Sequence, residues 1–132
     1  MSVPPLPEGD LAWNYFPDNY RWSHGMLIAL GGAPWGGAEI GEVHRVGLRL
    51  QSCVGDDLAW FRAWAHEADR LIEDARDKCA KGRTHTAVAQ LLRAAHYHHV
   101  GERFMQPKTN SVGCRPKPLK NLVLILGSIP HK

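Results

Sequence analysis

The sequence lacks the features that mark several large classes of protein. Its longest strongly apolar run is Leu122–Leu126, far shorter than the roughly 20 residues of a membrane-spanning helix. The three cysteines, Cys53, Cys79 and Cys114, form no CxxC pair, which favours ordinary thiols in a reducing compartment over a disulfide framework. The Pro-rich, acidic residues 1–10 have neither the basic nor the apolar region of a signal peptide. We therefore expect a cytoplasmic protein with no membrane partner.

Acidic residues are missing from the last part of the chain. Residues 103–132 contain six lysines and arginines and no acid, whereas residues 1–102 contain all 13 acids. Such an asymmetry can indicate a nucleic-acid-binding tail. Here the basic residues are dispersed, and beyond Phe104 no aromatic side chain is present on which a base could stack. We therefore expect no nucleic-acid partner.

Motifs for nucleophilic catalysis, metal binding and phosphate binding are also missing. The nucleophile of an α/β-hydrolase lies in Gly-x-Ser-x-Gly, and none of the serines lies in that motif. HExxH and GxGxxG are absent, and the glycine-rich stretch 31–37 follows a predicted helix rather than a strand. We expect no catalytic residue, no metal and no cofactor in this chain. The sequence by itself leaves open whether the chain belongs to an enzyme.

Two groups of polar residues have alternative interpretations. His96, His98 and His99 could bind a metal, but the HxHH spacing turns consecutive rings to different helix faces, so exposed or interhelical histidines are favoured. Glu39 and Glu42 could act as an acid–base pair. We favour the alternative that their charges complement the dipole at the start of a helix.

Hydrophobic periodicity predicts an all-α fold with four helices. The expected helices are Tyr20–Leu30, Ala38–Cys53, Asp57–Lys81 and His85–Met105, with Asp18 or Asn19 capping the first and Thr84 the last. The third and fourth helices should form an antiparallel hairpin over about residues 57–105, joined at Gly82-Arg83. One cap-like helical domain is expected over residues 16–109. A flexible lead, 1–15, precedes it, and an irregular basic tail, 110–132, follows.

The apolar faces of the two long helices can be predicted in the same way. The third helix should bury one residue every three or four positions: Leu58, Phe61, Trp64, Ala68, Leu71, Ile72, Ala75 and Cys79. The fourth should bury Val88, Leu91, Leu92, Ala95 and Val100, with Ala87, Ala94 and Ala95 allowing a close approach. Gly41 and Gly47 weaken the second helix and can mark close contact with another element. Trp64 is expected in the core, and Trp35 is the better candidate for contacting a partner.

Four stretches taken in order resemble a known family. They are Phe16–Ser23, Ala33–Val43, Trp60–Arg70 and Leu92–Pro107. Their order and spacing are similar to the N-terminal helical region of certain bacterial and fungal α/β-hydrolases, a group that contains 2,6-dihydroxypseudooxynicotine hydrolase and related esterase or acylpeptidase-like proteins. The resemblance implies a helical region that caps a hydrolase core and helps to form the substrate cleft. It also implies that Trp22, Trp35, Glu39 and Glu42 border the cleft or contact the core.

The sequence departs from that family after Thr109. The sheet domain that carries Gly-x-Ser-x-Gly, an acid and a histidine in the family has no counterpart here, so no catalytic residue can be carried over. We hypothesise that residues 110–132 are a frame-shifted or truncated end, and we expect a chain that is inactive alone. An isolated cap should expose an apolar patch and self-associate or bind its missing hydrolase core. The alternative is a stand-alone helical protein-interaction module.

Overall fold

The computed structural model of the protein describes residues 2–5 and 13–105 and has four α-helices in that part of the chain. They are α1 (Tyr20–Leu30), α2 (Ile40–Leu50), α3 (Asp57–Ala80) and α4 (Thr84–Glu102), with 3-10 turns at Ala33–Trp35 and Gln51–Cys53. The described residues contain no strand, so the predicted all-α fold is confirmed. None of these helices is both long and apolar enough to cross a bilayer.

Two predicted segments cannot be compared with the structure. The flexible lead, 1–15, lies mostly outside the described residues. The irregular basic tail, 110–132, lies wholly outside them, together with its apolar run Leu122–Leu126.

Side-chain caps and a left-handed glycine set several helix ends. The Asn19 side chain accepts a hydrogen bond from the Trp22 amide at 2.9 Å, which confirms one of the two predicted caps of α1. Asp56 caps α3 by accepting from the amides of Leu58 and Ala59. Gly82 has φ +73°, the conformation that suits glycine after a helix C-terminus. The turn between α3 and α4 is therefore specified locally.

The predicted ends of α2 and α4 were wrong by a few residues. Glu39 is extended rather than helical, because the Tyr97 hydroxyl accepts its amide hydrogen bond at 2.9 Å. Thr84 is the first residue of α4 and Arg83 is its cap, because the turn that closes α3 brings the Arg83 amide to the Lys78 carbonyl at 2.8 Å. At its other end α4 stops at Glu102, not Met105.

Helices α3 and α4 form the predicted antiparallel hairpin. The Trp60 indole donates to the Val100 carbonyl at 3.0 Å, and a Cβ placed on Gly101 would lie 3.0 Å from the Trp64 Cβ. Ala87 and Ala94 are buried at this contact as predicted. Ala95 is exposed, so that part of the prediction was wrong. Small residues at the crossing let the two backbones lie close together.

Aromatic rings fill the core between α1, α3 and α4. Trp22, Trp60 and Trp64 are completely buried, and their ring centroids form a chain with separations of 5.1 and 5.7 Å. Phe16 packs edge-on against Trp22, and Tyr97 packs against Trp64. The expectation that Trp64 belongs to the core is confirmed. The apolar stripe of α3 is also confirmed except at its two ends, where Leu58 is 40% exposed and Cys79 is only half-buried.

Three helical glycines differ in what surrounds them. Gly47 lies against the Tyr15 ring, so the predicted close approach is confirmed there, whereas a Cβ on Gly41 would meet nothing within 4 Å. In α1, a Cβ on Gly25 would lie 2.8 Å from the Trp60 ring. Trp60 is buried and hydrogen-bonded, so its ring has no free direction in which to move.

We predict that Gly25→Ala destabilises the protein by about 1–3 kcal/mol, because the added methyl group overpacks the rigid Trp60 ring. Gly41→Ala is the matched control. It adds the same methyl group to a helix at a position where nothing lies within 4 Å, and it should raise the free energy of unfolding by at most about 1 kcal/mol. Urea unfolding of both variants measures the difference. Equal unfolding free energies for the two would contradict the close contact at Gly25.

Candidate functional site

The loop between α1 and α2 presents Trp35 to solvent in a fixed position. Gly36 has φ +79°, and the Gly37 amide donates to the Gly32 carbonyl at 2.8 Å. The Trp35 ring lies so close to Gly37 that a side chain at position 37 would not fit. Trp35 nevertheless remains 55% exposed. The loop therefore holds a large aromatic ring at the surface without burying it.

His96 of α4 supports the Trp35 ring. The two rings meet edge to face with centroids 5.1 Å apart. The His96 Nε2 atom lies 3.2 Å from the Ala29 carbonyl oxygen, a contact that requires Nε2 to carry the proton and leaves Nδ1 as an acceptor. Burial lowers the pKa of His96 below its usual 6.5, so the ring is neutral at pH 7.

The outer side of α4 continues this surface. Val88 and Leu92 are 42% and 43% exposed, and Ala95 is exposed as well. The sequence prediction placed these three residues inside, together with Leu91 and Val100, and only the last two are buried. The buried side of α4 instead consists of Ala87, Gln90, Leu91, Ala94, Tyr97, His98, Val100 and Gly101. Helix α4 is thus rotated about its own axis relative to the prediction, so that Val88 and Leu92 face solvent instead of the core.

A buried carboxylate explains that rotation. The Glu42 side chain is 7% exposed and accepts hydrogen bonds from the Tyr97 hydroxyl at 2.6 Å and from Arg93 Nε at 2.9 Å. Arg93 Nη2 reaches the other carboxylate oxygen at 3.2 Å. Burial, followed by the bond to Glu42, raises the pKa of the Tyr97 hydroxyl well above 10, so it stays protonated and donates. Arg93 and Tyr97 must therefore face α2, and Leu92 is turned outwards.

The charged cluster extends onto α3 through Glu67. This carboxylate is 1% exposed and lies 2.7 Å from Arg70 Nη2 and 2.8 Å from Arg45 Nη1. Arg70 also approaches Glu42 Oε1 at 3.7 Å and Asp74 at 3.1 Å. The hydrogen bond from Arg70 to Glu67, together with the charges of Glu67, Asp74 and Glu42, raises the pKa of Arg70. Two buried carboxylates on α2 and α3 are thus each matched by arginines, as burial of charge requires.

The four residues that the family resemblance singles out occupy two different environments. Trp22 is fully buried and its indole donates to Asp57 Oδ1 at 3.1 Å, and Glu42 is the buried carboxylate described above. Trp35 and Glu39 are exposed, Glu39 by 63% of its side chain, with one carboxylate oxygen 3.5 Å from Arg93 Nη1. The structure therefore brings Trp35 and Glu39 to the surface and keeps Trp22 and Glu42 in the interior.

The two glutamates do not have the geometry of an acid–base pair. Both oxygens of Glu42 are occupied by Arg93, and Tyr97 binds one of them as well, so none is left to take a substrate proton. Sequence reasoning treated Glu42 as a helix-terminal charge and missed Arg93 and Tyr97. They lie 51 and 55 residues further along the chain, and no local pattern signals that contact.

The histidines of α4 do not converge. No group of three or more potential metal ligands occurs among the described residues. His98 is 4% exposed, and neither ring nitrogen has a hydrogen-bond partner; its Nε2 lies 3.6 Å from Asp69 Oδ1. Burial lowers the pKa of His98, and the charges of Asp69 and Glu102 only partly oppose that effect. His98 is therefore a neutral core residue at pH 7.

Known proteins similar in sequence to this chain are fungal hydrolases. It is 30% identical over 96 residues to Hydrolase acrC of Aspergillus aculeatus, covering 73% of this chain and 22% of that protein. It is 34% identical over 77 residues to 20-hydroxy-prefusarin hydrolase FUS2 of Gibberella moniliformis, covering 58% and 18%. It is 35% identical over 68 residues to Hydrolase ORFZ of Pyricularia oryzae, covering 52% and 16%.

This chain is therefore distantly related to fungal hydrolases, and it spans about a fifth of their length. No family model and no solved structure matches it.

We predict that Tyr97→Phe destabilises the protein by about 1–3 kcal/mol, because the buried Glu42 carboxylate loses one of its hydrogen bonds, keeping those from Arg93, and the Glu39 amide loses its acceptor. Tyr15→Phe is the matched control. This change removes the hydrogen bond between the Tyr15 hydroxyl and the exposed His44 ring, which is 2.8 Å long. Water can take the place of the hydroxyl there, so the free energy of unfolding should fall by less than about 1 kcal/mol. Urea unfolding compares the two, and similar losses would argue against a special role for Tyr97.

We also predict that His98 makes stability fall on acidification. Its folded-state pKa lies below the unfolded value of about 6.5, so the unfolded state binds the proton more readily. The stability that neutral His98 contributes is complete above about pH 6.5 and is lost as the pH drops below that value towards the lowered folded pKa. His98→Gln should flatten the dependence of the unfolding free energy on pH in this range. His66→Gln, at an exposed position of α3, is the matched control for the substitution. Parallel curves for all three proteins would refute the prediction.

Proposed function

We propose that this chain is the N-terminal helical, substrate-capping portion of an α/β-hydrolase, of the group that includes 2,6-dihydroxypseudooxynicotine hydrolase, and that it is inactive alone. The observation that carries the proposal is the match to named hydrolases over about a fifth of their length, in a chain without a nucleophile motif. Hydrolysis of an ester, amide or C–C bond in the intact protein uses residues outside this region. The helical portion excludes water and shapes the cleft.

The polar groups of the described residues support an inactive chain. The Ser23 hydroxyl is buried and bonded to the backbone of Phe16 at 2.8 and 3.0 Å, so it cannot attack a substrate. Ser52 is exposed, and no serine in residues 2–5 or 13–105 forms a hydrogen bond with a histidine. A serine nucleophile needs such a base within hydrogen-bond reach.

The proposal assigns different tasks to the four residues that the resemblance implies. Trp35 and Glu39 are exposed at the same end of α2 and border the cleft or the contact with the hydrolase core. Trp22 and Glu42 act beneath them: Trp22 ties α1 to the start of α3, and Glu42 ties α2 to α4. They fix the position of the exposed pair.

The alternative proposal is a stand-alone helical protein-interaction module. It is favoured by one observation, the closed aromatic core of α1, α3 and α4, which needs no further chain to bury it. In that case the exposed surface of α4 and Trp35 serves a separate protein instead of a hydrolase core. The two proposals differ in what the gene should encode beyond Thr109: a hydrolase sheet domain in the first, and no such domain in the second.

Sequencing the gene and translating all frames beyond the codon for Thr109 tests the first proposal. The expected result is a frame that encodes a sheet domain with Gly-x-Ser-x-Gly. The purified chain should meanwhile hydrolyse p-nitrophenyl acetate no faster than the same chain unfolded in urea, because any reaction then comes from ordinary imidazoles, thiols and amines and needs no folded site. The absence of such a frame would favour the interaction module, and turnover that depends on folding would contradict an inactive chain.

A further inference from the structure

We infer that the surface formed by Trp35, Val88, Leu92 and His96, named here the α4 outer face, is the surface that docks onto the catalytic part of a hydrolase chain. The inference rests on the proposed function and identifies the contact surface within it. Its occupant is the remainder of a hydrolase, meeting this face through an apolar protein surface.

The composition of α4 fits an apolar contact. From Thr84 to Gly101 the helix contains no acidic residue, and its outward side carries Val88, Leu92 and Ala95 in successive turns. The arginine beside them, Arg93, is 13% exposed and already paired with Glu42 and Glu39. Docking an apolar surface here therefore leaves no unpaired charge of α4 buried at its centre.

Trp35 is prepared for such a contact. Its ring is fixed by Gly37 beneath it and His96 beside it, and the loop backbone is closed by the bonds from Gly36 to Ala33 and from Gly37 to Gly32. A ring that is already ordered loses little conformational entropy on binding. Exposed tryptophans held in this way are typical centres of protein interfaces.

The neutral state of His96 fits the same role. Its Nε2–H is bound to the Ala29 carbonyl, and its lowered pKa keeps a positive charge off the face at pH 7. An uncharged imidazole can be covered by an apolar surface more easily than an imidazolium ion.

The length of the relatives favours the rest of a hydrolase chain as the partner that covers the α4 outer face. About four fifths of Hydrolase acrC lies outside the region that matches this chain. A second copy of the chain fits less well, because the three most exposed residues of this face, Trp35, Val88 and Leu92, are each only about half exposed and offer much less than the ~800 Å² per partner of a stable dimer. A small face suffices when the partner belongs to the same chain, since linkage raises its effective concentration.

Thiol labelling of a full-length protein tests the docking surface. Residues 13–105 close their own core, and in the chimera they take the place of the matched region of Hydrolase acrC. Leu92→Cys is introduced into this chimera and into the free 132-residue chain, and maleimide labelling is mapped by peptide mass. Leu48→Cys is the matched control, an exposed leucine of α2 that lies outside the α4 outer face. Both leucines are at the surface, so neither change should alter the thermal unfolding midpoint of the free chain.

The expected result is labelling at position 92 that is about tenfold or more slower in the folded chimera than in the free chain, with position 48 unchanged. Equal labelling rates at position 92 in the two proteins overturn the docking surface and leave the proposed function standing. A chimera that fails to fold while Hydrolase acrC folds counts against the proposed function itself, because this chain then cannot replace the related region.

Discussion

The arrangement of these helices depends on one interaction, the contact of the buried Glu42 carboxylate with Arg93 and Tyr97. Glu42 lies in the first turn of α2 and is held by Arg93 and Tyr97 of α4. Removing one partner of a buried ion pair costs about 3–5 kcal/mol, because the remaining charge is left without compensation. Tyr97 also receives the Glu39 amide hydrogen bond, so the start of α2 and the middle of α4 are fixed to each other.

The same interaction determines which side of α4 faces solvent. Arg93 and Tyr97 are four residues apart and share one face of the helix, and with 3.6 residues per turn Leu92 then lies about 100° away from Arg93. The side of α4 that packs on α3 then includes the small residues Ala87, Ala94 and Gly101, which allow the two helices to lie close together. Satisfying a buried charge thus moves two large aliphatic side chains, Val88 and Leu92, to the surface.

The interior and the exterior of the described region therefore have opposite characters. Inside, the carboxylates of Glu42 and Glu67 are matched by arginines, and these ion pairs link α2 to α4 and to α3. Outside, a rigid tryptophan lies beside an apolar helix face. The proposed contact with a hydrolase core uses both features: the closed interior keeps the helices in place, and the exposed face remains available for that contact.

The sequence by itself determined the all-α class, a cap of α1 at Asp18 or Asn19, the hairpin closed at Gly82 and the buried stripe of α3 apart from its ends. These features depend on neighbours a few residues apart, whose caps and periodicity are visible in the chain. It also excluded a nucleophile motif. Only the tertiary structure decided the rotation of α4, the shortened start of α2 and the separation of Trp35 and Glu39 from Trp22 and Glu42. The rotation of α4 and the start of α2 depend on Glu42 and Glu39 meeting Arg93 and Tyr97 across more than 50 residues, and a buried charge can select its partners only after the helices have packed together. The burial of Trp22 depends on its packing against Phe16 and Trp60, and the exposure of Trp35 depends on the loop that holds its ring.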